Sequence, residues 1–192
     1  MSVALAAPSA ASVDRLRADD APLALQAALV VGTALLTGLL AQFEIRVYLW
    51  EVPLTLQSIA VYGAGLFLGW RTGALAMLLY LALGLVLPMY AGGGTGLDHL
   101  LGASVGYLVG FPLVALVAGL VTERSRGVGR SVLGLLAGSV VLFACGVVGL
   151  HVVAGYSWAE AAVNGWLKFI PWDLTKIALV TALYATARRA TA

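Results

Sequence analysis

Asp173 and Lys176 stand three residues apart in Pro171-Trp172-Asp173-Leu174-Thr175-Lys176, within the last long apolar stretch of the chain. Residues at i and i+3 share one face of a helix, so the pair offers a carboxylate acceptor and an ammonium donor to the same spot. Ionisable groups inside an apolar span cost about 2.5–3.5 kcal/mol each on insertion scales and mark functional sites by default. Pro171 suits the first turn of a helix, and a carboxylate near the helix N-terminus is favoured by the dipole. Two readings fit: a structural ion pair, or a grip on a ligand that presents both donors and an acceptor.

Other polar or unusual residues fall on the same, outer side. Val52-Pro53-Leu54-Thr55-Leu56-Gln57 puts the hydroxyl of Thr55 and the amide of Gln57 at the mouth of a second span. Gly92, Gly93, Gly94 and Gly96 allow a backbone to approach something closely or to take positive φ. Trp50, Trp158, Trp166 and Trp172 gather there too, an interfacial belt by default, with one or two available to wall a flat ligand. His151 reads as a packed or interfacial imidazole, and His99 beside Asp98 as a loop pair without the partners a metal needs. No metal site is expected. Ala24, Ala28 and Gly32 form a small-residue stripe on the first span, which either packs within the chain or docks a separate membrane subunit.

The elements that must position these residues follow from composition. Of 192 residues, 61% are hydrophobic and 10% charged, which no single soluble core of this size can bury. The chain therefore reads as an all-α integral membrane protein of the cell (inner) membrane, crossing it several times. Leu23–Ala41 carries no charge and at 1.5 Å per residue reaches ~28 Å, one bilayer core. Further spans are expected at Leu54–Gly69, Thr72–Leu87 (ended by Pro88), Ser104–Val121, Ser131–Val153, and from Trp166 or Pro171 to Ala187. A tight turn at Trp70-Arg71 and a polar-aromatic connection running through Asn164 join them. The result is a compact bundle of six transmembrane helices over residues 23–189, preceded by a disordered or surface-lying arm, residues 1–22.

Orientation follows the positive residues. Placing both termini in the cytoplasm puts Arg15, Arg17, Arg71, Arg124, Arg126, Arg130, Arg188 and Arg189 inside, with only Arg46 and Lys168 outside. Val3–Ala7 is too short for a signal-peptide core, and its arginines follow it. A net charge of +2 without a basic, aromatic-interleaved patch excludes a nucleic-acid partner. The lone Cys145 reads as a packing residue and forms no intramolecular disulfide. No catalytic constellation is present: neither His-Glu-x-x-His, nor a phosphate-binding Gly-x-x-x-x-Gly-Lys-Ser/Thr, nor a Ser/His/Asp set at matching depth. The chain is thus not an enzyme, has no cofactor, and depends on other chains for any ATP-driven work.

Val52-Pro53-Leu54-Thr55-Leu56-Gln57, Gly84-Leu85 through Pro88 with the Gly92–Gly94 loop, Gly106-Tyr107-Leu108-Val109-Gly110-Phe111, and the Asp173/Lys176 element together resemble the BioY family. These are biotin-specific substrate-binding (S) components of energy-coupling-factor transporters. The resemblance runs from about Leu23 to Arg188, with departures at Ala103-Ser104 and Trp172. It implies a high-affinity biotin-binding membrane component that takes biotin from the outside. The partners implied are a transmembrane coupling subunit and two cytoplasmic ATPases, with the Ala24, Ala28 and Gly32 stripe meeting the coupling subunit. In that frame Asp173 accepts from the ureido N–H groups and Lys176 donates to the ureido carbonyl. Tyr107, Trp166 and Trp172 flank the apolar ring, and the valerate tail ends near Gly92, Gly93 and Gly94, Gln57, or a hydroxyl such as that of Thr55. The reverse orientation, with Lys176 on the valerate, also fits. The competing expectations are an S component for thiamine or riboflavin, which keeps the bundle but changes the pocket, and a stand-alone carrier. The latter needs a path of embedded carboxylates, of which only Asp173 is available.

Overall fold

The computed structural model describes residues 12–17, 22–45 and 52–191. The chain is built almost wholly of helices: α1 (Leu23–Ala41), α2 (Gln57–Gly63), α3 (Gly69–Gly84), α4 (Gly96–Leu100), α5 (Val105–Val121), α6 (Val128–Val153), α7 (Trp158–Gly165) and α8 (Ile170–Ala190). Among the described residues, three apolar helical stretches are long enough to cross a membrane: Leu23–Ala41, Gln57–Gly84 and Val128–Val153. The middle one is not a single rod. α2 passes into a π-helical turn, Ala64–Leu68, and then meets Gly69 at φ +79°, a conformation that favours glycine and breaks the helix before α3 begins. The reversal expected at Trp70-Arg71 is therefore made at Gly69.

Other boundaries also move. The second span is expected from Leu54, but Leu54–Thr55 is β2, paired antiparallel with β1 (Glu44–Ile45), and the helix starts at Gln57. α3 ends at Gly84 rather than at Pro88, where the Tyr90 ring packs against Gly84 and leaves no room for a Cβ; the Tyr90 hydroxyl donates to Leu81 O at 2.7 Å. α6 begins at Val128, three residues before the expected Ser131, whose hydroxyl bonds back to Gly127 O at 3.2 Å. The connection running through Asn164 contains α7. Its start is fixed by a capping box in which Ser157 and Glu160 bond reciprocally.

α2 packs against α1, α5 and α8; α3 lies between α1 and α5, and α6 joins α5 to α7 and α8. The α5–α6 contact is the most extensive. The Gly106 backbone lies so close to the Cys145 carbonyl that a Cβ would not fit. Buried tyrosines fill the centre, and each hydroxyl finds a partner: Tyr62 on Asp173, Tyr80 with Gln57, Tyr107 on Gly165 O, Tyr184 on Asp14. A hydroxyl left unpaired in so apolar an interior would cost several kcal/mol.

Part of the N-terminal arm is folded against the bundle. Ser12–Arg17 forms a 3-10 helix. Its Arg17 donates to Gly119 O at 2.9 Å and to the Thr122 hydroxyl at 3.0 Å, while Asp14 is only 6% exposed. In this segment the reading of disorder gives way to docking, because one acid and one arginine reach carbonyls and cations at the ends of several helices.

Candidate functional site

α8 enters the bundle through the 3-10 turn Leu167–Phe169, with Pro171 in its first turn, and so sets Asp173 at the helix start. Asp173 is 4% exposed. Its Oδ1 accepts from the Tyr62 hydroxyl of α2 at 2.7 Å, and its Oδ2 from the Ser139 hydroxyl of α6 at 2.6 Å. Lys176 turns instead toward β2 and α2. Its Nζ donates to Thr55 O at 2.7 Å and to Ser58 Oγ at 3.0 Å. The acid and the base therefore make no direct hydrogen bond to each other, and each is bonded to neutral groups instead. An ammonium has three N–H donors and a carboxylate oxygen more than one lone pair, so each group keeps capacity for a further bond.

Both groups line one cavity, with about 670 Å³ of empty space, part of it open to solvent. Thr55, Gln57, Tyr107 and Trp172 share its wall. Gln57 is buried with its amide engaged: it donates to the Tyr80 hydroxyl at 2.6 Å and accepts from the Thr55 hydroxyl at 2.8 Å. Phe111, Phe143 and Phe169 complete an aromatic, apolar side. The combination of an apolar wall with a few convergent polar groups is that of a small-molecule site.

Other residues read as binding groups do not line this cavity. Gly92, Gly93 and Gly94 do not reach the wall; Gly92 and Gly93 take φ +64° and +75° and turn the loop, and Ala91 and His99 face the cavity in their place. His99 stacks on Tyr90 with ring centroids 5.3 Å apart and lies directly against Gly94. Trp166 also stands off the wall, stacked behind Phe143 at 6.1 Å. Trp50 lies outside the described residues. His151 is packed as expected, stacked on Trp158 at 4.0 Å. Among the described residues no cluster of His, Cys, Asp or Glu is arranged to hold a metal.

A family model described as the BioY family matches residues 11–192. The chain belongs to the BioY family. It is 38% identical to the biotin transporter BioY of Rhizobium etli over 85% of this chain and 89% of that protein. It is 40% identical to the biotin transporter BioY of Rhodobacter capsulatus over 70% of this chain and 77% of that one. The crystal structure at 2.1 Å of the S-component for biotin from an ECF-type ABC transporter has the same fold. Its TM-score is 0.79 at 23% identity, covering 85% of this chain and 90% of that one. BioY proteins are transporters, not enzymes, and this chain is a membrane protein.

Sequence reasoning missed Ser58, Tyr62, Ser139, His99 and Phe143. Ser58 follows Gln57 directly, and the turn of α2 carries its hydroxyl to Lys176. Tyr62 and Ser139 lie in apolar runs, where only the facing of the helices reveals them. On α1, Ala24, Ala28 and Gly32 are all exposed, and a Cβ at Gly32 would meet nothing within 4 Å. The stripe therefore does not pack within this BioY chain; α1 turns Ala34, Thr37, Gly38 and Ala41 inward instead.

Proposed function

We propose that the chain is the biotin-binding S component of an energy-coupling-factor uptake transporter. It works as a six-span bundle with both termini in the cytoplasm of a cell (inner) membrane. One observation carries the reading: a buried carboxylate and a half-buried ammonium share a cavity wall, bonded to hydroxyls and a carbonyl but not to each other. Biotin's ureido ring supplies the complementary edge, with N–H for Asp173 and a carbonyl for the remaining donor of Lys176. Its thioether ring suits the aromatic side at Tyr107, Phe143 and Trp172. The valerate runs toward the Ala91, His99 and Ser104 segment of the wall.

Thiamine's fixed positive charge has no place beside Lys176, and riboflavin lacks a cyclic urea edge flanked by an apolar thioether ring. A buried polar site rejects ligands that leave its groups unpaired. Equilibrium binding of biotin, thiamine and riboflavin to the detergent-purified chain tests the assignment. Biotin is expected to bind alone; thiamine or riboflavin binding in its place would overturn it.

The family and the exposed stripe at Ala24, Ala28 and Gly32 support docking of a transmembrane coupling subunit, with two cytoplasmic ATPases behind it. Small residues let a partner helix approach closely. Ala28→Arg is expected to abolish co-purification with the coupling subunit while leaving biotin binding by the isolated chain unchanged. Retained co-purification would remove the stripe from the interface.

A further inference from the structure

Asp173 meets the cavity on one side and two hydroxyls on the other. Tyr62 comes from α2 and is fully buried; Ser139 comes from α6 and is 9% exposed. Neither lines the cavity. Each donates to a different oxygen of the same carboxylate, at 2.7 and 2.6 Å, the short distances of charge-assisted O–H···O bonds. One such bond would leave the carboxylate free to rotate about it. Two, from different helices and to different oxygens, fix its plane. The lone pairs they leave unused are the ones available to the cavity.

Chemistry matters here as much as geometry. Hydroxyls donate without bringing a countercharge, so the carboxylate is held but not neutralised. An arginine or lysine in their place would hold it equally well and compete with a ligand N–H for the same charge. The cation beside Asp173 is occupied elsewhere, with Lys176 tied to Thr55 O and Ser58 Oγ.

We infer that Tyr62 and Ser139 are positioning residues for ligand recognition, which orient the Asp173 carboxylate and keep its charge available for the ureido N–H. The inference rests on the biotin reading of this cavity. Each hydroxyl acts through Asp173 and touches no ligand atom.

The test is calorimetric titration of biotin into purified Tyr62→Phe, Ser139→Ala and Ser139→Thr chains, with thermal melting of each. Tyr62→Phe and Ser139→Ala are each expected to weaken biotin binding about tenfold, because the carboxylate is no longer held in one orientation before the ligand arrives. Ser139→Thr, which keeps the hydroxyl, is expected to bind within about threefold of the unaltered chain. Affinity unchanged in both hydroxyl-deleted chains would overturn the inference. So would a loss that Ser139→Thr shares, or one that tracks lowered melting temperature across the three variants. Failure of the unaltered chain to bind biotin would instead overturn the biotin reading itself, so the two failures are distinct.

Discussion

Two buried carboxylates stand near the two ends of α8, and they are held in opposite ways. Asp14 meets the C-terminal end, where Arg126 and Arg188 form ion pairs with it at 3.3 and 3.1 Å and the Tyr184 hydroxyl adds a third bond. Asp173 sits near the other end, roughly 16 Å along the helix from Tyr184. It is just as buried, yet it receives only hydroxyls and borders a cavity. The fold itself neutralises Asp14, which makes that acid a fastener between the N-terminal segment, the α5–α6 connection and α8. Asp173 has no cation bonded to it, since Lys176 acts on it only through space while bonded to Thr55 and Ser58, and a buried carboxylate held in that way is tolerated where a ligand completes the set. Burial alone therefore does not mark a site; what the acid is paired with does.

The contrast is broken most strongly at the Asp173 end. Asp173→Asn is expected to weaken biotin binding by more than tenfold while the chain stays folded, as read by calorimetry and a melting curve. The reciprocal change, Asp14→Asn, is expected to leave biotin affinity within about twofold. It should lower stability by about 1–3 kcal/mol, because Arg126 and Arg188 lose their anion while half-buried. If Asp14→Asn impaired binding as much as Asp173→Asn, the division between fastener and site would fail.

A third carboxylate sharpens the comparison from the exposed end of the scale. Glu160 caps α7, and the hydroxyl and amide of Ser157 hold it below the ordinary carboxylate range. A lowered folded value means the cap contributes above the unfolded value and is lost as pH falls through the folded one. Protection of the amides of Trp158–Gly165, measured against the intrinsic exchange rate at each pH, is expected to fall at acid pH, and Glu160→Gln should remove that dependence. The effect is the smallest of the three and confined to α7, and a change in biotin affinity would contradict it.

The acid and base were legible in the sequence because helical periodicity alone puts residues 173 and 176 on one face, with Pro171 marking the start. Their partners were not. Whether Ser139 or Tyr62 faces Asp173 depends on how α2 and α6 rotate against α8, and an apolar run with small residues all round carries no phase. The glycine loop misled for a related reason: Gly92 and Gly93 supply the turn, and the residues beside them, Ala91 and His99, supply the wall. The Ser157-to-Glu160 spacing forms a capping box, but the connection through Asn164 was read without a helix and α7 went unseen. The docking of Ser12–Arg17 was not, since a short charged segment has the composition of a solvated one, and only the carbonyls at Gly119 and Thr122 show where it binds.

A structure of the biotin-bound chain examines the ligand and the acid together. The ureido N–H is predicted about 3 Å from an Asp173 oxygen and the ureido carbonyl at similar distance from Lys176 Nζ, with Tyr62 and Ser139 still on the carboxylate. Biotin seated with its valerate on Lys176, or bound with Asp173 facing no ligand atom, would contradict the account.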